Sequence, residues 1–139
     1  MIETERLILR HWRDEDRAPF AAMSADSAVM EHLGPIIDRA SSDAGIDQMI
    51  ALAKAGEPFF RAVERRSDGA FIGFIGVKPI NFEAAFGKGY EIGWRLGNEY
   101  WGAGYASEGA KAALLHGFRT YRLNTVFSLT IYQFSSAHG

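Results

Sequence analysis

A glycine-rich turn directly before a helical run is the feature that most constrains how this chain folds. The turn lies within NEYWGAGYASEGAKAALLHGF, residues 98–118, and follows YEIGWRLG, in which every second residue is large and apolar. Alternation with a period of two predicts a strand with one buried face. Apolar residues from Ala106 to Tyr121 instead repeat at helical spacing. The sequence therefore predicts a strand, a glycine turn and a helix from about residue 103 to residue 121.

The remaining segments predict a mixed α/β domain. ERLILRHW predicts a first strand, and two or three helices follow it, the first of them capped by Asp14 or Asp16. PFFRAVERR and AFIGFIGVKPI, separated by SDG, predict a β-hairpin, NFEAAFG a loop, and NTVFSLTIY a last strand. This order of elements favours one sheet domain over residues 1–139.

Composition and charge narrow the classes of function. The formal net charge of −2 lacks the basic excess typical of a nucleic-acid binder. Cysteine is absent, which excludes disulfides, thiolate zinc sites and a cysteine nucleophile, and the four histidines show no metal-ligand spacing. The charged start and the absence of a long apolar run predict a cytoplasmic protein that does not insert into membranes.

The glycine turn predicts an anion site at the start of the helix. The first amides of a helix lack partners and lie at the positive end of its dipole. A turn that needs glycine only for its geometry is the alternative. The dinucleotide fingerprint does not fit, because GNEY separates strand from glycine and no acidic residue lies near Asn124. A P-loop needs Gly-Lys-Ser/Thr, which the chain lacks.

Three segments resemble the GNAT acetyltransferases, in particular the branch that includes the ribosomal-protein N-terminal acetyltransferases. They are TERLILRHWRDED, the hairpin, and YEIGWRLGNEYWGAGYASEGAKAALLHGF, and the resemblance covers about residues 3–130. It implies a mixed, mostly antiparallel sheet with flanking helices, and acetyl-CoA as co-substrate without a metal. In that family a turn of the form Arg/Gln-x-x-Gly-x-Gly/Ala holds the pyrophosphate of acetyl-CoA. Here the pattern maps onto Trp101 to Ala106, with Trp101 at the Arg/Gln position.

The resemblance also implies which residues hold acetyl-CoA. The strand that pairs with the pantetheine arm comprises Ile92, Gly93, Trp94, Arg95 and Leu96. The turn around the pyrophosphate comprises Trp101, Gly102, Ala103, Gly104, Tyr105, Ala106 and Ser107.

Glu91 is the candidate general base. Acceptor amines are mostly protonated at neutral pH, since α-amino groups have a pKa of about 8 and lysine about 10.4, so a base assists transfer. Alternation places Glu91 on the same face as Gly93, whose missing side chain we expect to leave a notch beside the carboxylate. The alternative is a structural carboxylate paired with Arg95, four residues further along.

Weaker candidates are spread over the chain. Arg10, Arg61 and Arg95 are considered for an acceptor site, although strand arginines are more often surface residues. Glu108 is expected only to favour the helix dipole. His116 is expected to be solvated on the polar side of the helix.

The C-terminal segment departs from the family pattern. Relatives continue for some tens of residues with a helix and two strands, and the branch shows an Asn and then a Ser after the last strand. Here Phe134 stands where the Asn is expected, and Ala137 stands near the position of the Ser. Many members of the family also use a tyrosine from this region to protonate the leaving thiolate, and Tyr132 is a poor substitute for it. We therefore expect a C-terminally incomplete domain whose exposed last strand favours a homodimer.

The resemblance thus implies an N-acetyltransferase that moves an acetyl group directly to a primary amine of a protein N-terminus or a small molecule. The alternative is a catalytically incomplete coenzyme A-binding remnant or an interaction module. No residue pattern selects the acceptor amine.

Overall fold

Six strands form one sheet in the order β1-β2-β3-β4-β5-β6 in the computed structural model, which describes residues 1–31, 35–81, 88–121 and 126–128. The strands are β1 Ile2–Glu3, β2 Leu7–Arg10, β3 Phe60–Arg65, β4 Phe71–Asn81, β5 Lys88–Leu96 and β6 Val126–Ser128. Neighbours from β1 to β5 are antiparallel, and β6 is parallel to β5. The predicted mixed, mostly antiparallel sheet is confirmed. The two-residue strand β1 was missed because so short a segment shows no periodicity.

Helices cover the two faces of this sheet. They are α1 Arg17–Ser24, α2 Ser27–Met30, α3 Arg39–Lys54 and α4 Tyr105–His116, with short 3₁₀ turns at Asp14–Asp16 and Asn98–Tyr100 and a π-helical turn at Gly117–Tyr121. The predicted helix from about residue 103 to residue 121 is therefore confirmed, although it ends in a looser turn.

One face of the sheet packs against α4. Ile92, Trp94 and Leu96 of β5 lie in a buried cluster with Ala106 and Ala113 of α4, among other residues. Successive side chains of a strand point to opposite faces, so the apolar set predicted from alternation is the set that α4 covers.

The opposite face packs against α1 and α3. Phe60 of β3 and Phe74 of β4 stack with ring centroids 4.9 Å apart. They share a buried cluster with Phe20 of α1 and with Ile46 and Met49 of α3. This second core positions the surface on which Glu91 lies.

The helix caps differ in part from the prediction. Asp38 caps α3 by accepting from the Ser41 amide at 2.8 Å, and Asp26 caps α2 in the same way. Asp16 does not cap α1, because its carboxylate instead accepts from Arg10 and from the Arg13 amide. The predicted capping role of Asp16 is therefore wrong for α1, whereas its bond to the Arg13 amide caps the short 3₁₀ turn Asp14–Asp16 that precedes α1.

Several C-terminal expectations concern residues outside the described ranges. The last predicted strand is described only as β6, and Tyr132, Phe134 and Ala137 lie beyond it. The NFEAAFG loop also falls outside, apart from Asn81 at the end of β4. The exposed edge and the homodimer stay predictions.

Candidate active site

The glycine turn leaves the first amides of α4 without a capping side chain. Gly102 and Gly104 have φ angles of 81° and 83°, a left-handed conformation that glycine adopts without steric cost. Gly104 is the N-cap of α4 and offers no side-chain acceptor. Gly102, Ala103 and Ser107 are exposed. The turn therefore presents open N–H groups at the positive end of a helix, which suits an anion.

Arg6, in the β1–β2 connection, adds a positive charge to this turn. Its Nη1 donates to the carbonyl oxygen of Ala103 at 2.9 Å, and its Nη2 lies 3.4 Å from where a Cβ on Gly104 would stand. The guanidinium also lies over the Tyr105 ring, 4.5 Å from its centroid. Sequence reasoning missed Arg6 because this contact joins residues 97 positions apart.

Glu108 holds Arg6 in that position. The carboxylate accepts from Thr4 Oγ1 at 2.5 Å, from the Arg6 amide at 2.9 Å and from Arg6 Nε at 2.7 Å. Partial burial opposes ionisation, but these hydrogen bonds outweigh it and hold the pKa of Glu108 below its usual value. Glu108 is thus a structural link between α4 and the first strands, more than the dipole partner expected.

Two clefts flank this region and differ in charge. One, of about 310 Å³, is lined by three arginines and one carboxylate, together with Ser67 and Tyr105; the charged residues are Glu5, Arg6, Arg65 and Arg66. The other, of about 380 Å³, has Asp26 and Glu99 in its wall. The arginine-lined cleft suits an anionic ligand, and the acidic one does not.

The edge of β5 that faces away from β4 is only partly paired. β6 pairs with β5 at Tyr90, Glu91 and Ile92. Within the described residues, Gly93–Leu96 has a partner strand only on the β4 side. An extended amide chain can add to such a sheet edge through backbone hydrogen bonds.

Trp101 fastens the glycine turn to the end of β5. Its indole Nε1 donates to the carbonyl oxygen of Leu96 at 3.0 Å. The side chains of Ile92, Trp94 and Leu96 of β5 and of Ala106 in α4 are buried where the strand and the helix pack together. These four residues can therefore meet a ligand only through their backbone.

Glu91 is buried and forms an ion pair with Lys78. Glu91 is 3% exposed, and its Oε1 lies 2.9 Å from Lys78 Nζ. The two residues stand opposite each other on β5 and β4. The other carboxylate oxygen, Oε2, is buried without a hydrogen-bond partner in the described part of the chain. Pairing with Arg95 is wrong, because four residues along a strand span about 13 Å.

The expected notch at Gly93 is filled. A Cβ on Gly93 would lie 2.8 Å from Cζ of Phe60, so the ring of Phe60 occupies the space that the missing side chain leaves. Gly93 therefore permits close packing by Phe60 and does not open a cavity beside Glu91. The expectation of a notch is wrong.

The three arginines considered for an acceptor site have other surroundings. Arg10 is buried, donates two hydrogen bonds to the Asp16 carboxylate and also donates to Glu64 at 3.0 Å. The bonds that it donates to Asp16, above all, raise the pKa of Arg10. Burial lowers the pKa of Arg61, opposed by a hydrogen bond with Tyr121. Arg95 lies over the Phe74 ring, 5.4 Å from its centroid. Arg10 is therefore a structural residue.

His116 is half-buried, so its expected solvation is wrong. Its ring meets that of Tyr121 edge-on at 5.8 Å, and burial, aided by Arg61, lowers its pKa. Within the described residues no group of three or more His, Asp or Glu side chains could hold a metal ion. In the same residues no helix is long and apolar enough to cross a membrane.

Comparison with known proteins agrees with this architecture. A family profile described as "Acetyltransferase (GNAT) domain" matches residues 6–131. The chain is 29% identical over 125 residues to the uncharacterized N-acetyltransferase p20 of Bacillus licheniformis, covering 88% of this chain and 68% of that protein.

Solved structures show the same fold. The acetyltransferase from Agrobacterium tumefaciens superposes with a TM-score of 0.82 at 26% identity, over 98% of this chain and 78% of that one. RimL, a ribosomal L7/L12 α-N-protein acetyltransferase solved with coenzyme A, superposes with a TM-score of 0.71 at 14% identity, over 96% and 77%. The chain described here belongs to the GNAT family of acetyltransferases.

Proposed function

We propose that this N-acetyltransferase uses acetyl-CoA and transfers the acetyl group directly to a primary amine of a protein N-terminus or a small molecule. The observation that carries the proposal is the position of the β5 edge next to the glycine turn, which Trp101 fastens to the end of β5. The open edge of β5 at Gly93–Leu96 leads into the uncapped turn Gly102–Gly104 at the start of α4. Acetyl-CoA supplies the acetyl group as a thioester.

The turn suits the pyrophosphate of acetyl-CoA. Its amides lack a capping group, the positive φ angles of Gly102 and Gly104 orient the backbone, and Arg6 brings a cation beside them. Anions bind at such helix starts because the amides and the dipole act together. The RimL structure with coenzyme A supports the choice of ligand for this fold.

The open edge of β5 suits the pantetheine arm. This edge offers backbone donors and acceptors to the amides of that arm, in the manner of an added strand, apart from the Leu96 carbonyl, which accepts from Trp101. An amide of the same edge can donate to the oxyanion that develops during acyl transfer. Backbone groups supply both functions, so the burial of the Ile92, Trp94 and Leu96 side chains is compatible with the site.

Glu91 is proposed as the general base. Lys78 engages Oε1 at 2.9 Å, which leaves Oε2 as the oxygen that can accept a proton. Since Oε2 is buried, a bridging water would carry the proton from the amine.

The remaining expectations stay predictions of this proposal. They are a single domain over residues 1–139, a cytoplasmic location, no nucleic-acid or membrane partner, and a homodimer through the last strand.

Calorimetric titration with acetyl-CoA tests the proposal, with NAD and ATP as controls. Selective micromolar binding, about −8 kcal/mol, is expected for acetyl-CoA alone. Release of free coenzyme A in the presence of amines then separates an active enzyme from a binding remnant. A folded sample that binds NAD or ATP equally well would contradict the coenzyme A site.

A further inference from the structure

A small apolar cavity adjoins the Lys78–Glu91 pair. Its volume is about 140 Å³, and it lies between the sheet and helices α1 and α3. Its walls are aromatic and aliphatic side chains, namely Trp12, Phe20, Ile46, Met49, Phe60 and Phe74. An apolar cavity of about 150 Å³ is large enough to hold benzene. We call this cavity the aromatic slot.

Lys78 connects the aromatic slot to the proposed base. It contributes to the wall of the slot, its Nζ lies 5.6 Å from the centroid of the Phe60 ring, and the same atom is 2.9 Å from Glu91 Oε1. Phe60 in turn lies against Gly93 of β5. Only the Lys78 side chain would thus separate a group held in the slot from Glu91. Only the Phe60 ring would separate it from Gly93, in the strand proposed to bind acetyl-CoA.

Gly45 forms part of the slot wall, and its lack of a side chain supports the view that the slot is open to a ligand. It lies in the interior of α3, which runs from Arg39 to Lys54. Glycine there costs about 1 kcal/mol relative to alanine, yet a Cβ at this position would meet no atom within 4 Å beyond its chain neighbours and the backbone of its own helix. Packing therefore does not require glycine. The missing side chain instead leaves space at the edge of the slot, next to the exposed Gln48.

We propose that the acceptor is a primary amine bearing one uncharged aromatic or branched aliphatic group, which the aromatic slot holds. The proposal rests on the proposed function and names its substrate class. Apolar walls favour such a group, because its transfer from water is favourable. A second cationic group would lie against apolar walls and near the Lys78 ammonium, which is unfavourable on both counts. Polyamines and other multiply charged amines are therefore expected to be poor acceptors.

An acceptor panel tests the substrate class. The panel comprises phenethylamine, isoamylamine, ethylamine, spermidine and a peptide with an N-terminal phenylalanine, with free coenzyme A release as the readout. Phenethylamine or the phenylalanine peptide should exceed ethylamine and spermidine in kcat/KM by roughly tenfold or more. A higher kcat/KM for phenethylamine would identify the acceptor as a small molecule, and a higher value for the peptide would identify it as a protein N-terminus. Equal rates for all amines, or a preference for spermidine, would overturn the proposal.

Gly45→Phe tests the slot itself by filling it. It should raise KM for phenethylamine by roughly tenfold or more, with little change for ethylamine or in acetyl-CoA affinity. Ala44→Phe is the matched control, because Ala44 is exposed on the same helix. Unchanged kinetics in a folded Gly45→Phe would overturn the proposal. If that variant does not fold, Gly45→Leu carries the same test with a smaller side chain.

A binding measurement separates failure of the slot from failure of the proposed function. Saturation-transfer NMR on the wild-type chain should show contact between phenethylamine and the protein, and Gly45→Phe should abolish it. Lack of acetyl-CoA binding in calorimetry would overturn the proposed function alone. Lack of saturation transfer to phenethylamine, with acetyl-CoA bound normally, would overturn the slot alone.

Discussion

Arg6 and Glu108 join the first strands of the sheet to the first turn of α4. The Arg6 Nε lies 2.7 Å from Glu108 Oε1, and the Arg6 amide donates to Glu108 Oε2 at 2.9 Å. The same guanidinium donates to the carbonyl of Ala103. One side-chain pair therefore fixes both the docking of α4 and the charge beside the glycine turn.

Replacing Glu108 by glutamine should reduce both stability and acetyl-CoA affinity. Loss of the charged acceptor costs roughly 1–3 kcal/mol of unfolding free energy, measured by urea denaturation at pH 7. Glu15→Gln is the control, because the side chain of Glu15 is 71% exposed. An acetyl-CoA affinity equal to that of the wild type would remove Arg6 from the cofactor site.

The stabilisation by Glu108 should depend on pH in a defined direction. Its folded-state pKa lies below the usual value of 4.5. The stabilisation is therefore fully present above about 4.5 and is lost as the pH falls through the lower folded value. The difference in unfolding free energy between the wild type and Glu108→Gln should accordingly shrink below pH 4.5. A difference that stays constant from pH 7 to pH 3 would contradict the assignment.

Replacing Gly104 by glutamate should weaken acetyl-CoA binding by at least about tenfold, which is 1.4 kcal/mol. The new carboxylate would lie among the amides proposed to bind pyrophosphate and next to Arg6 Nη2. Since any side chain at φ 83° is strained, Gly104→Asn is the control for backbone cost, because asparagine tolerates this conformation. Calorimetric titration of both variants with acetyl-CoA separates the effect of the carboxylate from the effect of backbone strain. Equal affinities of the two variants would mean that strain alone accounts for the loss.

Replacing Gly93 by alanine should destabilise the fold through a clash with Phe60. The new Cβ would stand 2.8 Å from Phe60 Cζ, and stacking on Phe74 at 4.9 Å restrains that ring. Overpacking of this kind costs about 1–3 kcal/mol. Gly45→Ala is the control, because it enters open space and should stabilise α3 by up to about 1 kcal/mol.

A second substitution isolates the Phe60 clash. Phe60→Leu removes the ring, so Gly93→Ala should cost less in the Phe60→Leu background than in the wild type. Urea denaturation of the four proteins gives this coupling free energy. Strict additivity would show that Gly93 is required for a different reason.

Local patterns predicted the strand, turn and helix around the site. Alternation in β5 marks the face that packs against α4, and the spacing of α4 depends only on its contact with that face. Glycine at 102 and 104 also carries a local signal, since both residues adopt positive φ. These features are encoded within about thirty consecutive residues.

Pairings between distant elements were not predictable from the same patterns. The partner of Glu91 depends on the β4–β5 register, which places Lys78 opposite it, and no periodicity within β5 contains that information. Asp16 stands where a helix cap would stand, yet Arg10 competes successfully for its carboxylate. Phe60 reaches Gly93 across β4, so the notch expected from β5 alone was wrong.

Replacing Glu91 by glutamine should lower turnover at pH 7 by roughly 10²- to 10⁴-fold while leaving acetyl-CoA affinity unchanged. The amide retains the size of the side chain but cannot accept the proton. With an acceptor whose α-amino group has a pKa of about 8, the deficit should shrink as pH rises above 8, because the amine is then already neutral. Initial rates of coenzyme A release, measured for both proteins from pH 6 to pH 10, give this profile. If the ratio of wild-type to variant rates were independent of pH, Glu91 would not act as the base, and its pairing with Lys78 at 2.9 Å would be its whole role.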